Sequence, residues 1–225
     1  PMKTSRSILL GLALLAASGA ARAEDRGFYV GVDIGQANVS SDQRALDASL
    51  VYAFNQLGLD IVNGSSDVGE DSLTYGLLVG YQILPYLAVE ASYIDAGEFQ
   101  YRARGTVTDG VTSGEGHFAL DAAAKGPTVS VLGILPFAHD WRVFGRVGML
   151  FARTSYDYRV TIDDSVGTQG MSRSSENFLW GIGVGYTSGV WTSRIEYQQI
   201  QDMGDKDITG QVDSSRVTYS AIYRF

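Results

Sequence analysis

The chain has 225 residues, no cysteine, and a formal net charge of −8 from 17 basic and 25 acidic side chains. The lack of cysteine excludes a disulfide framework and a thiolate metal site, and the acidic balance argues against nucleic acid as a partner. Glycine and tyrosine are abundant, with 27 and 13 residues, and only 4 residues are proline. This composition suits either one soluble domain or a small membrane barrel of about eight strands.

The first 23 residues have the three parts of a secretory signal. Lys3 and Arg6 form a basic start, residues 8–17 are apolar apart from Gly11, and the run Ala21-Arg22-Ala23 is typical of a cleavage site. The apolar run is shorter than the roughly 20 residues that a membrane-spanning helix needs. We therefore predict a signal peptide over residues 1–23, with Pro1 interpreted as an artefact, and a mature domain over residues 24–225 with 14 basic and 25 acidic side chains.

The mature chain contains eight segments in which apolar or aromatic residues alternate with small or polar ones, the pattern of two-faced strands. The segments cover residues 28–35, 73–83, 87–93, 126–135, 142–151, 178–186, 191–198 and 217–225. In the fourth segment, residues 126–135, the two faces are hard to tell apart. The last segment ends directly on Phe225, whereas the ends of soluble domains are generally frayed and polar.

Short and long connections alternate along the chain. Residues 84–86, 136–140 and 188–189 form short turns, and the other connections are long and polar: about 40–71, 105–125, 157–176 and 204–211. This layout is typical of outer-membrane barrels, with periplasmic turns and extracellular loops. We predict an all-β fold, an eight-stranded antiparallel transmembrane up-and-down β-barrel with a narrow polar interior. The alternative is a soluble antiparallel barrel, whose apolar face would point inward.

The first long connection has a helical pattern. Over residues 43–59 one helical face carries five apolar side chains, namely Leu46, Leu50, Ala53, Phe54 and Leu57. We expect a short amphipathic helix that lies at the outer-leaflet boundary or against the loops, with an irregular loop as the alternative.

Four charged side chains fall in mid-strand on the predicted polar face: Glu90, Arg146, Arg194 and Glu196. A lone charge in a tight lumen is costly, so acids and bases are expected to pair there. The paired charges would be either a structural network that fills the lumen or a gate for small ions.

Several short runs resemble the outer membrane protein A-like transmembrane domains. They are Gly80-Tyr81-Gln82 with residues 87–93, residues 144–148, residues 194–198 with Asp202-Met203-Gly204, and Tyr223-Arg224-Phe225. The resemblance covers nearly all of the mature chain. It implies an eight-stranded barrel with both termini on the periplasmic side, and it implies that Glu90 and Arg194 belong to an internal ion-pair network.

The resemblance also gives a role to the last strand. The aromatic residues Tyr219, Tyr223 and Phe225 look like the signal that the outer-membrane barrel assembly machinery reads. Many relatives continue into a periplasmic peptidoglycan-binding domain. Since this sequence stops at Phe225, we expect a barrel without that domain.

These observations predict a non-enzymatic protein of the bacterial outer membrane with a structural role in the envelope, whose loops contact surfaces or host molecules. The alternatives are a narrow gated channel for small ions or solutes and a small barrel enzyme acting on lipid A. Acyl hydrolysis needs a nucleophile with a base in reach, but His117 and His139 lie in a predicted loop and turn without a His-x-Ser-Asn arrangement. We therefore predict no catalytic residue, cofactor or metal. The expected partners are outer-membrane lipids, lipopolysaccharide and the assembly machinery, with the protein as a monomer.

Overall fold

The computed structural model describes residues 26–40, 43–69, 71–163, 165–203 and 212–225. The predicted signal peptide over residues 1–23 and the predicted last long loop over residues 204–211 lie outside the described residues. Within the described ranges the chain forms nine strands and one helix. In chain order they are β1 (Gly27–Ser40), α1 (Gln43–Gln56), β2 (Asp60–Gly69), β3 (Asp71–Leu84), β4 (Leu87–Thr108), β5 (Ser113–Pro136), β6 (Trp141–Ile162), β7 (Ser165–Ser188), β8 (Trp191–Met203) and β9 (Val212–Arg224).

Eight of the strands close into an antiparallel ring. Going round it, the order is β1, β3, β4, β5, β6, β7, β8 and β9, and β9 pairs with β1 from Tyr29↔Arg224 to Ser40↔Asp213. We call the end with the three short connections the turn end and the opposite end the loop end. The predicted antiparallel barrel is thereby confirmed. Its closing seam leaves no free strand edge in the ring, which is the condition for spanning a lipid bilayer with strands.

Two strands, β3 and β2, share the place beside β4 on one side of the ring. β3 pairs with β4 between Leu84↔Leu87 and Gly76↔Ile94, and β2 pairs with the same side of β4 farther along, from Gly69↔Gln100 to Asp60↔Thr108. β2 therefore continues β3 at the loop end. This division explains why the chain has nine strands around an eight-membered ring.

The predicted apolar faces point outward. On β3, for example, Leu73, Tyr75 and Leu77 are exposed while Thr74 and Leu78 are buried. Aromatic rings cluster around the turn end, where Trp141 contacts Tyr186 at 5.1 Å between ring centroids and Trp191 contacts Tyr223 at 5.2 Å. Amphipathic rings favour the headgroup level of a membrane. An outward apolar belt with an aromatic girdle contradicts the soluble-barrel alternative.

The strand with the ambiguous faces is β5. Its residues Val129 and Val131 point outward, but Leu132 and Ile134 on the other face are buried inside the barrel. Both faces are therefore apolar at the turn end. The pattern hid the strand's orientation because the interior there is apolar too.

Two of the predicted long loops are in fact extended β-hairpins. β4 and β5 remain paired up to Thr108↔Ser113, and β6 and β7 up to Ile162↔Ser165. The prediction of long polar connections over residues 105–125 and 157–176 was therefore wrong. Inward-facing aromatic and apolar residues continue the strand pattern beyond the membrane belt and form a cluster of their own: Val39, Phe99, Tyr101, Leu120 and Tyr156.

The expected helix is present as α1, over Gln43–Gln56. Leu46 and Leu50 pack against the aromatic cluster, and Tyr101 Oη donates a hydrogen bond of 2.6 Å to Asp47 Oδ1. Leu57, which the pattern placed on the same face, is exposed beyond the helix end. The helix thus lies against the hairpins at the loop end, the second of the two positions expected for it. Within the described ranges, helical segments are too short and too polar to cross a bilayer.

A charged layer sealed inside the barrel

The four charged residues singled out in the sequence meet inside the barrel. Glu90 comes from β4, Arg146 from β6, and Arg194 and Glu196 from β8. All four side chains are almost fully buried, with exposed fractions between 0 and 7%. They meet because each occupies an inward position of its strand at the same height in the ring. We call this group the charged layer.

Arg146 holds two carboxylates at once. Its Nε lies 2.6 Å from Glu196 Oε1, and its Nη2 lies 2.6 Å from Glu90 Oε2 and 3.1 Å from Glu196 Oε2. The guanidinium therefore sits between the two acids. Charge-assisted hydrogen bonds of this geometry are the strong ones in proteins.

Arg194 binds Glu90 from the other side. Its Nη1 and Nη2 lie 2.5 and 3.3 Å from Glu90 Oε1 and Oε2, and its guanidinium carbon lies 5.1 Å from the ring centroid of Phe144. Among the described residues its hydrogen bonds go to Glu90 and none goes to Glu196. Glu90 is thus shared by two arginines, and Arg146 is shared by two acids.

Sequence reasoning missed further members of the interior network. Tyr29 Oη donates to Glu90 Oε1 at 2.8 Å, and a second group joins Arg216 to Asp33 at 3.3 Å and to Gln198 at 3.2 Å. The sequence feature that could have identified them is the alternation of inward and outward residues along each strand. Asp33 alternates with the outward Ile34, and Arg216 precedes the inward Thr218 by two residues.

Two apolar layers enclose the charged residues. On the turn-end side lie seven buried residues: Tyr29, Leu78, Ala88, Leu132, Ile134, Phe144 and Ile222. On the loop-end side lie eight: Ile94, Ala96, Ala124, Leu150, Ala152, Leu179, Ile200 and Met203. The interior is polar in the middle of the barrel and mixed toward its ends, where Gln82 and Thr192 at the turn end and Asn177 toward the loop end are buried among apolar side chains. An eight-stranded barrel is just wide enough for side chains to fill it.

Glycines make room for the large rings of the turn-end layer. A β-carbon at Gly80 would collide with the ring of Tyr29, and one at Gly183 would collide with the ring of Phe144. Both glycines lie directly opposite those aromatic residues on the neighbouring strand. Bare backbone is thus needed there so that the rings can close the lumen.

The other predicted site residues are far from this layer. Tyr219, Tyr223 and Phe225 point outward, and Phe225 N donates to Phe28 O at 3.1 Å across the closing seam. His117 lies near the tip of the β4–β5 hairpin, and His139 lies in the turn between β5 and β6 at the opposite end. The two histidines cannot share one site. In the part of the chain that the structure describes, no three or more acidic, histidine or cysteine side chains are grouped to hold a metal ion.

The chain resembles a curated protein of the outer membrane. The chain is 28% identical over 209 residues to outer membrane protein P5 of Haemophilus influenzae, which covers 88% of this chain and 51% of the relative. The chain thus spans about half the length of the curated relatives it matches.

Among solved structures, Neisserial surface protein A shares 15% identity with a TM-score of 0.48 over 88% of this chain and 97% of its own. Ail of Yersinia pestis, in complex with the heparin analogue sucrose octasulfate, shares 13% with a TM-score of 0.42 over 89% and 99%. The family model for the OmpA-like transmembrane domain matches residues 23–225. This chain therefore belongs to the OmpA-like transmembrane domain family and is a β-barrel protein of the outer membrane.

Proposed function

We propose that this barrel is a non-enzymatic structural component of the outer membrane whose lumen is closed and whose exposed surface lies in the loop-end hairpins. The observation that carries the proposal is the order of layers along the lumen. An apolar layer at the turn end, the charged layer, and a second apolar layer follow one another. A solute crossing the barrel would have to displace all three.

The charged layer supports closure because hydrogen bonds from within the barrel satisfy both of its acids. Glu90 accepts hydrogen bonds from Arg146, Arg194 and Tyr29, and Glu196 accepts two from Arg146. A buried ion pair whose lone pairs are satisfied has no need of water, whereas removal of one partner leaves an uncompensated charge. The layer therefore favours a static plug that fills the barrel.

A narrow gated channel is the second candidate, and two features favour it. The sharing of Glu90 by two arginines gives that acid a remaining partner when either bond breaks. In addition, the Nε atoms of Arg194 and Arg216 are buried without a hydrogen-bond partner in the described residues. Partner exchange of this kind would be the opening step of a gate.

Conductance decides between the two candidates. The full chain is inserted into a planar bilayer beside a large general porin as a positive control for insertion, and wild type is compared with Arg194→Ala. The closed-barrel proposal expects no unit conductance steps in either protein. Steps in wild type whose frequency changes in Arg194→Ala would overturn it and support the gate.

The non-enzymatic part of the proposal has a separate test. Lipid A from cells with and without the expressed chain is compared by mass spectrometry, and the proposal expects identical masses. Loss of an acyl chain or phosphate that depends on expression would overturn it and support an enzyme acting on lipid A.

We also propose that the last strand directs assembly of a monomeric barrel. Tyr219, Tyr223 and Phe225 lie on the outward face of β9, beside the seam with β1. Replacing Phe225 with Ser is expected to reduce the amount of folded protein in the outer membrane, while Phe137→Ser, a change of another exposed phenylalanine at the same end, leaves it unchanged. Equal amounts of the two folded variants in the outer membrane would show that Phe225 has no such role in assembly.

A further inference from the structure

A small cavity lies inside the barrel between the charged layer and the turn end. Its volume is about 50 Å³, which is less than the share of two water molecules in the liquid at about 30 Å³ each. Its lining joins residues of the turn-end apolar layer to six polar residues: Gln82, Arg142, Thr187, Thr192, Arg194 and Arg224. We call this space the turn-end cavity.

Three of the polar lining residues are arginines. Arg194 belongs to the charged layer, whereas Arg142 and Arg224 lie farther toward the turn end and are half-buried. Arg224 Nη2 donates a hydrogen bond of 2.6 Å to Gln82 Oε1, and Arg142 has an interaction of its own. The half-buried side chains at the mouth leave the cavity in contact with water at that end of the barrel.

Carboxylates stay outside the cavity in the part of the chain that the structure describes. Glu90 binds Arg194 from within the charged layer, and Asp140, two residues before Arg142, is exposed in the turn between β5 and β6. Neither acid lines the cavity. Among the described lining residues, the ionised groups are therefore all cations.

Gly185 makes room between two of these cations. It pairs with Arg142 on one side and with Arg194 on the other, so the Cα atoms of the two arginines lie about 10 Å apart across it. A β-carbon at Gly185 would lie 3.3 Å from Arg194 Cγ, inside ordinary contact distance. The bare backbone of Gly185 thus forms the floor of a cradle with an arginine on each side.

Two groups at the cradle have hydrogen-bonding capacity to spare. Arg194 is 6% exposed, and its Nε is buried without a hydrogen-bond partner in the described residues, although its Nη atoms bind Glu90. The hydroxyls of Thr187 and Thr192 lie 3.0 Å apart, so one donates to the other and the accepting hydroxyl keeps its own hydrogen for a further acceptor. A buried donor without an acceptor is costly, so both groups favour an occupant that accepts hydrogen bonds.

We propose that the turn-end cavity binds a chloride ion, held between Arg142 and Arg194 above Gly185 with a threonine hydroxyl as a further donor. The lining offers donors and positive charge, and chloride is an acceptor that carries a negative charge. The small volume selects a monatomic anion over carboxylate or phosphate groups, which contain several heavy atoms. The bound ion joins β6 to β8 across β7 and so stabilises the turn end of the barrel.

This inference concerns the mouth of the lumen and does not rest on the proposed function. A closed barrel and a conducting barrel could each hold an anion at the turn end. The test below measures stability and the chloride resonance, so it succeeds or fails independently of the conductance test.

The test measures urea unfolding of the full chain in neutral phospholipid vesicles at one ionic strength, with the same salt on both sides. Sodium gluconate is replaced stepwise by sodium chloride or sodium bromide, because gluconate has the same charge but is too large for the cavity. Stability should rise and saturate with either halide. At a chloride concentration ten times Kd, the ratio of folded to unfolded protein should be about ten-fold higher than in gluconate. Equal stability in all three salts would overturn the proposal and assign the cavity to water.

A second readout needs no unfolding. Folded protein in the same vesicles should broaden the chloride-35 resonance, and excess bromide should reverse the broadening by displacing the bound ion. Absence of bromide-sensitive broadening would also overturn the proposal.

Two matched pairs of variants locate the site. Gly185→Ala places a methyl group in the cradle without changing the charge, and its control is Gly145→Ala, where a β-carbon faces outward with its nearest neighbour at 3.9 Å. Arg142→Gln removes a lining cation, and its control is Arg153→Gln on the exposed outer face of the same strand.

Each variant in chloride is compared with the same variant in gluconate, which removes any change in its basal stability. Gly185→Ala and Arg142→Gln are expected to reduce the ten-fold chloride effect to under about two-fold, and both controls to keep it. A full chloride effect in Arg142→Gln and Gly185→Ala would overturn the proposed site, as would an equal loss in the two controls.

Discussion

The membrane-spanning ring and the loop-end extension are built from the same strands but are stabilised in different ways. In the ring, every strand has two neighbours, and buried charges occupy the middle of the interior. At the loop end, β7 continues beyond Leu179↔Ile200, its last pairing with β8. The strands that pair there follow one another in the order β2, β4, β5, β6 and β7. An open, curved sheet thus stands on a closed barrel.

The difference shows what each environment demands. In lipid, all backbone hydrogen bonds must be made within the protein, so the strands close into a ring. The closed ring separates its interior from lipid, and that interior holds the ion pairs. Above the membrane, the sheet is stabilised by apolar burial instead, because α1 covers the aromatic cluster around Tyr101 and Tyr156. Substitutions in the ring should therefore change the free energy of global unfolding, whereas substitutions at the loop end should change only local opening.

The largest effect is expected from Arg146→Ala. Glu196 would lose the arginine that binds it, and Glu90 would keep only Arg194 and Tyr29. Leaving a buried charge unpaired costs about 3–5 kcal/mol, measured as the free energy of urea unfolding in phospholipid vesicles. The control is Arg153→Ala, an exposed change on the same strand that is expected to cost under about 0.5 kcal/mol. Equal effects of the two changes would contradict the idea of a stabilising charged layer.

A smaller loss is expected from Arg194→Ala. Glu90 would keep its 2.6 Å bond to Arg146 and its bond to Tyr29, so no acid is left without a partner. The expected cost is about 2 kcal/mol, the value of hydrogen bonds to a charged group, measured in the same unfolding experiment. A cost equal to that of Arg146→Ala would show that the two arginines are equivalent, which contradicts the geometry.

At the loop end, Leu50→Ala is expected to loosen α1 without weakening the barrel. Leu50 is half-buried against the aromatic cluster, so its truncation should cost about 1 kcal/mol of local stability. The readout is faster proteolysis within residues 43–59 at an unchanged midpoint of global unfolding. Leu57→Ala is the matched control, because Leu57 is 75% exposed. A shift in the global midpoint would mean that the two regions unfold as one.

The smallest effect concerns pH. Burial, together with the hydrogen bond to Asp47, raises the pKa of Tyr101 above that of an exposed tyrosine. The folded state therefore favours the neutral phenol, so this contribution is complete below the ordinary tyrosine pKa of about 10 and is lost as the pH rises through the raised value. Release of α1, followed by proteolysis at pH 9 and pH 11, should accelerate in wild type more than in Tyr101→Phe. An identical acceleration in both proteins would exclude Tyr101 as the cause.

The ring could be predicted from the sequence because its signal is local. Alternation of outward apolar residues, as in Leu73, Tyr75 and Leu77, requires only the two-residue period of a strand. Glu90, Arg146, Arg194 and Glu196 stood out because an ionised residue amid such alternation needs a partner. Arg216 was missed because it lies near the start of β9, and its partner Asp33 is 183 residues away in sequence.

The layers of the lumen could not be predicted in the same way. Leu132 and Phe144 are as apolar as the lipid-facing Val131 and Val143, so hydrophobicity alone does not show which two are buried in the lumen. The hairpin extensions were missed for a related reason. Their inward residues, such as Tyr101 and Leu120, alternate with charged outward residues. Because of these charges, the segments resemble loops in the sequence.

The central claim, that the lumen is closed at the charged layer, can be tested by thiol labelling because the natural chain has no cysteine. Ser130 is 2% exposed and its Oγ lies 3.4 Å from Arg146 Nη1, whereas Ser188 is exposed at the turn end. Each serine is replaced by cysteine in separate proteins reconstituted in vesicles, and a small water-soluble thiosulfonate is applied to both sides. The closed lumen predicts rapid labelling of Ser188→Cys and no labelling of Ser130→Cys until the barrel is unfolded. Labelling of folded Ser130→Cys at a rate close to that of Ser188→Cys would contradict it.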